Sequence, residues 1–159
     1  MSERLLRLFD YHGWDNEKLL HHLKNLPEEI YWKRINSVFP TIAETFAHII
    51  AVDELWYSRL QGRHIPYIQT EACKTIGETI TKCRDLHEEI KQFFIEIGHL
   101  EHPVVYQNTK GEPFSNKISE IIEHMVNHGT YHRGNIAAMI RQMGYEGTTT
   151  DYIYYLREV

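Results

Sequence analysis

The chain has 159 residues, 42% hydrophobic and 25% charged, which suffices for one buried core and excludes a disordered segment. Its net charge is −5 and its 17 basic residues form no run longer than two, which argues against a nucleic-acid partner. No apolar stretch approaches the roughly 20 residues that a bilayer span requires, so no membrane partner is expected.

A single domain over residues 1–159 is expected. The opening MSERLLRLFD carries acids and lacks a signal-type apolar core, which sets a cytoplasmic expectation. Cys73 and Cys83 lie ten apart in a helical pattern and read as reduced, mostly buried residues.

In chain order, Leu5, Leu6, Phe9, Leu19, Leu20 and Leu23 lie roughly at helical spacing, and Asn25 and Pro27 stop that helix. An irregular connection with room for one helical turn runs to Pro40. Thr41 with Glu44 three residues on is a capping-box signature, opening a second helix that ends at Gly62. GRHIPYIQTE reads as a loop. The third helix carries Ile76, Ile80, Cys83, Leu86, Ile90, Phe94 and Ile97 at steps of three and four, and Gly98 terminates it. PVVYQNTKGEPF, residues 103–114, reads as a small hairpin or extended excursion turning at Lys110-Gly111. A fourth helix runs from about Asn116 to Met143, before Gly144. The tail TTTDYIYYLREV is expected to add one or two helical turns capped by Thr150 or Asp151. The fold class is therefore all-α, a four-helix bundle with a non-helical excursion before its last long helix.

Histidine is the compositional anomaly, with eleven in the chain. His124, His128 and His132 follow one another at steps of four, which brings them to one helix face. The outer two are separated by about 12 Å of axial rise, too far for one ion with metal–nitrogen bonds of about 2 Å. Either 124 with 128 or 128 with 132 can form a pair, and a third ligand must come from elsewhere. His48 is the best placed, set in the second helix among Ala47, Ile49, Ile50 and Ala51, where an imidazole needs a partner. The competing reading is a hydrogen-bonded core histidine. Histidines 12, 21, 22, 64, 87, 99 and 102 sit near polar faces or loops and read as surface residues, His12 least clearly.

HGTYHRGNIAAMIRQMG, preceded by HMVN, resembles the C-terminal signature of the DinB/YfiT-like family. TIAETFAHIIAVDELWYSRL, YHGWDNEKLL and TDYIYYLRE resemble its second helix, first helix and ending, in the right order along nearly the whole chain. The resemblance implies a bundle, commonly a homodimer, with one divalent metal on three histidines. Carried over by position, these are His48, His128 and His132, while His124 becomes a packing residue behind them. Asn135 stands where relatives commonly carry glutamine, a change of reach between two neutral amides.

Three neutral imidazoles leave an ion's charge uncompensated and coordination positions free, a pattern of catalytic more than structural sites. Such an ion lowers the pKa of bound water toward about 7, or holds a thiol as thiolate. Zinc and nickel both suit these ligands. Relatives that use low-molecular-weight thiols imply a metal-dependent thiol S-transferase acting on a small-molecule substrate. A metal-dependent hydrolase and a non-enzymatic metal-binding stress-response protein are the alternatives. No acid–base helper is evident and no catalytic residue is assigned. Glu44 reads as a cap, and Asp53 and Glu120 as solvated helix-face charges. Trp14 and Trp56 read as interhelical packing or as the mouth of a metal cavity. Arg133 suits an anionic substrate or an interhelical ion pair. Tyr131 is expected on another face from the ligands, and Asn16 and Asn127 are candidate buried polar residues.

Overall fold

The computed structural model describes residues 2–65, 68 and 70–159. Its helices are α1 (Ser2–Lys24), α2 (Ile42–Leu60), α3 (Ile76–Ile97), α4 (Ile118–Gln142) and α5 (Tyr152–Glu158), with a 3₁₀ turn at Glu28–Tyr31. Strands β1 (Pro103–Gln107) and β2 (Pro113–Lys117) form an antiparallel hairpin between α3 and α4. The architecture is mostly helical, with one two-stranded sheet. Among the described residues no helix is long and apolar enough to cross a membrane.

Local chemistry sets the boundaries. The Thr41 hydroxyl accepts from the Glu44 N–H at 3.1 Å and donates to the Glu44 carboxylate at 2.8 Å. The cap is therefore the expected one, although Glu44 returns to the hydroxyl and not to the backbone N–H of Thr41. The Thr75 hydroxyl caps α3 by accepting from the Glu78 N–H, while the Glu78 carboxylate accepts from the Lys74 N–H, and Gly98 ends the helix with φ 66°, a left-handed position that glycine occupies without Cβ strain. Helix α4 starts two residues later than expected, because Asn116 and Lys117 are still paired in the hairpin with Val104 and Pro103. Asp151 holds the N-cap position of α5 but makes no side-chain cap bond. Thr150 does not cap the helix either; its carbonyl accepts from the Tyr11 hydroxyl at 2.6 Å and ties the segment before α5 to α1. Of the expected loop at 62–71, Pro66, Tyr67 and Gln69 lie outside the described residues, and the rest is irregular.

Helix α1 packs on α3 and α4, and α2 packs on the same two. Two apolar clusters result. One joins Leu19, Leu20 and Leu23 of α1 to Phe46 and Ile49 of α2 and Ile136, Met139 and Ile140 of α4. The other joins Leu5 and Phe9 to Ile90 and Phe94 of α3 and to Ile121, Ile122 and Met125. Each such side chain, fully buried, contributes roughly 1.5–3 kcal/mol. Between the clusters all three helices turn polar at one level: His12, Asp15 and Asn16 on α1, Asp53 on α2, Arg133 on α4, all buried. Such a layer is tolerable only if its groups satisfy one another.

The close approach of α1 and α4 rests on Gly129. A Cβ there would stand 2.3 Å from His12 Cε1 and 2.6 Å from Arg133 Nη1, so any side chain would push the layer apart. Cys83 is buried, Cys73 is only partly so, and both are free.

Candidate metal centre

Helix α2 presents His48 two turns beyond its cap, and α4 presents His128 and His132 one turn apart. Each of the three offers a ring nitrogen within 4.8 Å of the others. His48 Nε2 and His128 Nε2 are 3.1 Å apart, close to the roughly 3.3 Å that separates two nitrogens on a tetrahedral zinc. Ring centroids lie 4.6 Å apart for His48 and His132 and 4.5 Å for His128 and His132. The three stand close enough to hold one metal ion.

Burial holds the cluster neutral. Desolvation, with the repulsion of His132 and His48 added, pushes His128 down to about 3, and desolvation followed by His48 brings His132 to about 4. His48 is lowered by desolvation as well. Neutral imidazoles expose lone pairs, as a cation requires. Nδ1 of His128 and of His132 are buried and have no hydrogen-bond partner among the described residues. No carboxylate belongs to the cluster. This donor set fits a divalent metal ion.

His124 lies outside the cluster, with its ring 6.0 Å from His128 and packed edge-on against Trp56 at 5.1 Å. Phe39, in the irregular segment before α2, packs against His48 at 4.7 Å and His132 at 5.6 Å. Nothing in its sequence context marks it. Tyr131 is 59% exposed, yet its ring stands edge-on to His132 at 4.9 Å, so it borders the cluster and does not face away from it. Among the described residues neither the Trp14 nor the Trp56 ring packs on the rings of the three histidines. Trp14 packs on Tyr11 and Tyr155, and Trp56 on Tyr106 and His124.

Behind the cluster runs the polar layer, where several sequence expectations change. His12 is 1% exposed and not a surface residue. Arg133 Nη1, which can only donate, contacts His12 Nδ1 at 3.1 Å, so Nδ1 is bare and Nε2–H donates to Asp53 at 2.9 Å. Asp53 is thus a buried partner and not a solvated helix-face charge. Arg133 also donates to Asp15 at 2.5 Å, to Asn16 Oδ1 at 3.0 Å and to the Thr130 hydroxyl at 3.2 Å. Of the two roles open to Arg133, the structure shows the interhelical ion pair. Asn16 is buried as expected, whereas Asn127 is exposed. Glu120 is exposed and accepts from the Lys117 N–H at the start of α4. His87 is half-buried, stacked on Phe9 at 4.6 Å. The break in the apolar pattern of α1 between Phe9 and Leu19 was the available signal for this layer.

The histidine shifts carry a pH consequence. His12, His48, His128 and His132 all lie below 6.5 in the folded chain, chiefly through desolvation, so below that pH the unfolded chain binds protons that the folded chain refuses. Their contribution is present above pH 6.5 and is lost on acidification. Asp15 runs the other way: desolvation outweighs Arg133 and raises it to about 6, so the folded chain takes up that proton first. With those four histidines and His124, which desolvation also lowers, against Asp15, the urea midpoint of metal-free protein is expected to fall between pH 7 and pH 5. A flat or rising midpoint would contradict this balance.

An all-α protein with a three-histidine cluster between two of its helices is the class these features define. The family model described as DinB family matches residues 1–158, and the chain belongs to that family. It is 38% identical over 165 aligned positions to Protein DinB of Bacillus subtilis (strain 168), an alignment covering 98% of this chain and 95% of that one.

Proposed function

We propose that this four-helix-bundle protein is a divalent-metal-dependent enzyme that joins a low-molecular-weight thiol to an electrophilic small molecule, with His48, His128 and His132 as the metal ligands. The observation that carries the reading is convergence of three neutral imidazoles from two helices with no carboxylate among them. A bound zinc or nickel ion would supply an uncompensated positive charge that lowers the pKa of a coordinated thiol. In the overall reaction a carbon–sulfur bond forms, the leaving group departs with the electron pair of its bond to carbon, and the thiol proton goes to solvent.

The chain's own residues orient and shield this site. Phe39 covers His48 and His132 and keeps water from that side, while the exposed Tyr131 ring stands beside His132. The His12–Asp53 pair and Arg133 fix α1, α2 and α4 relative to one another. A homodimer in the cytoplasm, with a small-molecule substrate, belongs to the same proposal.

The test is conjugate formation, followed by mass spectrometry, with a panel of low-molecular-weight thiols and an activated aryl halide. Activity that requires metal and disappears in His128→Ala is the expected result. Metal-dependent turnover without any thiol would replace the transfer reading by hydrolysis. Metal binding with no turnover on either kind of substrate would leave a non-enzymatic metal-binding protein.

A further inference from the structure

The C-terminal end of α2 and strand β1 border an open pocket of about 330 Å³, whose lining includes Arg59, Arg63, His64, Val105, Tyr106 and Pro113. No carboxylate lines it, although the chain has 22 acidic residues against 17 basic ones. Its distinguishing residue is Arg59, only 7% exposed. The guanidinium carbon stands 4.6 Å from the Trp56 ring and 5.1 Å from the Tyr106 ring, against two aromatic rings that themselves meet edge-on at 5.1 Å. Those rings attract a cation but accept few of its N–H groups. Nε of Arg59 is buried without a hydrogen-bond partner, and among the described residues no carboxylate pairs with this side chain.

Arg133, the other buried arginine, shows how this chain treats such a group when the role is structural. There Asp15, Asn16, His12 and Thr130 surround the guanidinium. Arg59 has no such set. Its place in the last turn of α2 would suit an interaction with the terminal carbonyls, but the guanidinium lies over Trp56, three residues earlier, and so is turned back from that end. A buried, oriented and uncompensated guanidinium facing a pocket calls for an anion with two oxygens in one plane. Arg63 is tethered by its Nη2 bond to the Gln61 side-chain Oε1 and lies, with His64, along the same wall. Val105 and Pro113 supply an apolar surface for the remainder of a small ligand.

We propose that this pocket binds the carboxylate or phosphate group of a small organic anion, with Arg59 as its main recognition residue and Arg63 and His64 beside it. The site is separate from the histidine cluster. Arg59 follows His48 by three helical turns, about 16 Å of axial rise, so its occupancy can be read without any metal and independently of the transfer reaction.

The experiment is an NMR titration of full-length metal-free protein with succinate and, separately, inorganic phosphate, at ionic strength held constant with chloride. Saturable shifts of the Trp56 indole N–H and the Gly62 amide are expected, with affinity at least tenfold weaker in Arg59→Gln. Saturation by succinate alone identifies a carboxylate site, and by phosphate alone a phosphate site. The spectrum of Arg59→Gln reports its own folding. Should that variant unfold, Arg63→Gln provides the comparison, expected to bind about threefold more weakly. No saturable shift with either anion in the unmodified protein overturns the proposal. So does undiminished binding in folded Arg59→Gln.

Discussion

Replacing any one of His48, His128 or His132 with alanine is expected to take the protein from about one divalent ion per chain to background. The ligands come from two helices, so no single helix retains a full set. Loss of His48 leaves two imidazoles one turn apart on α4, and loss of His132 leaves a lone cross-helix pair. Because the remaining ligands are neutral, no nearby charge compensates for the missing bond. The fall in affinity should exceed the roughly 10–100-fold that follows loss of a supporting hydrogen-bond partner. His124→Ala should keep its metal, since that ring packs on Trp56 and lies outside the cluster. Elemental analysis of untagged protein, equilibrated with zinc and with nickel and then desalted, decides the matter. Metal retained at full stoichiometry in all three alanine variants would show that the ion, if any, sits elsewhere.

The largest loss of stability is expected from Asp15→Ala. Asp15 and Arg133 are both fully buried, and removing the carboxylate leaves a guanidinium with only neutral acceptors at Asn16, His12 and Thr130. Breaking a buried pair in this way costs about 3–5 kcal/mol. The neutral acceptors and the raised pKa of Asp15 place this case near the lower end. Against a total of about 5–15 kcal/mol, that is enough to make the variant marginal at physiological temperature. Asp15→Leu combined with Arg133→Met should recover much of the loss, because no charge is then stranded. Urea unfolding at pH 7 measures both. A cost under about 1 kcal/mol for Asp15→Ala would mean that water reaches the guanidinium and the layer is not dry.

Much of this was legible in the sequence because it is local. The steps of four in helix α4 and the apolar setting of His48 point to facing positions, and the Thr41 hydroxyl marks a helix start through a bond that spans three residues. The hairpin was legible from its turn residues. What escaped notice depends on long-range partners. His12 meets Asp53 from 41 positions away and Arg133 from 121, and no spacing rule connects them. Asp53 looks like any solvated acid on an exposed helix face until α1 is laid over it. Phe39 sits in an irregular segment, where neither periodicity nor capping indicates direction. Tyr131 is one residue, about 100° of helix rotation, from His132, yet its large ring at the rim still reaches that neighbour, which spacing alone does not reveal.

His132 and Arg133 are adjacent in the chain and, about 100° apart around α4, serve different neighbours, one toward α2 and the other toward α1. Together they fix the azimuth of the helix. A ring nitrogen lies about 6 Å from the helix axis, so turning α4 by 10° would sweep it through roughly 1 Å, twice the tolerance of a well-held site. Arg133 acts as the keyway against that rotation, and Gly129 admits the key. Aligning the imidazoles is thus a mechanical property of the whole helix, set by the neighbouring residue that grips α1.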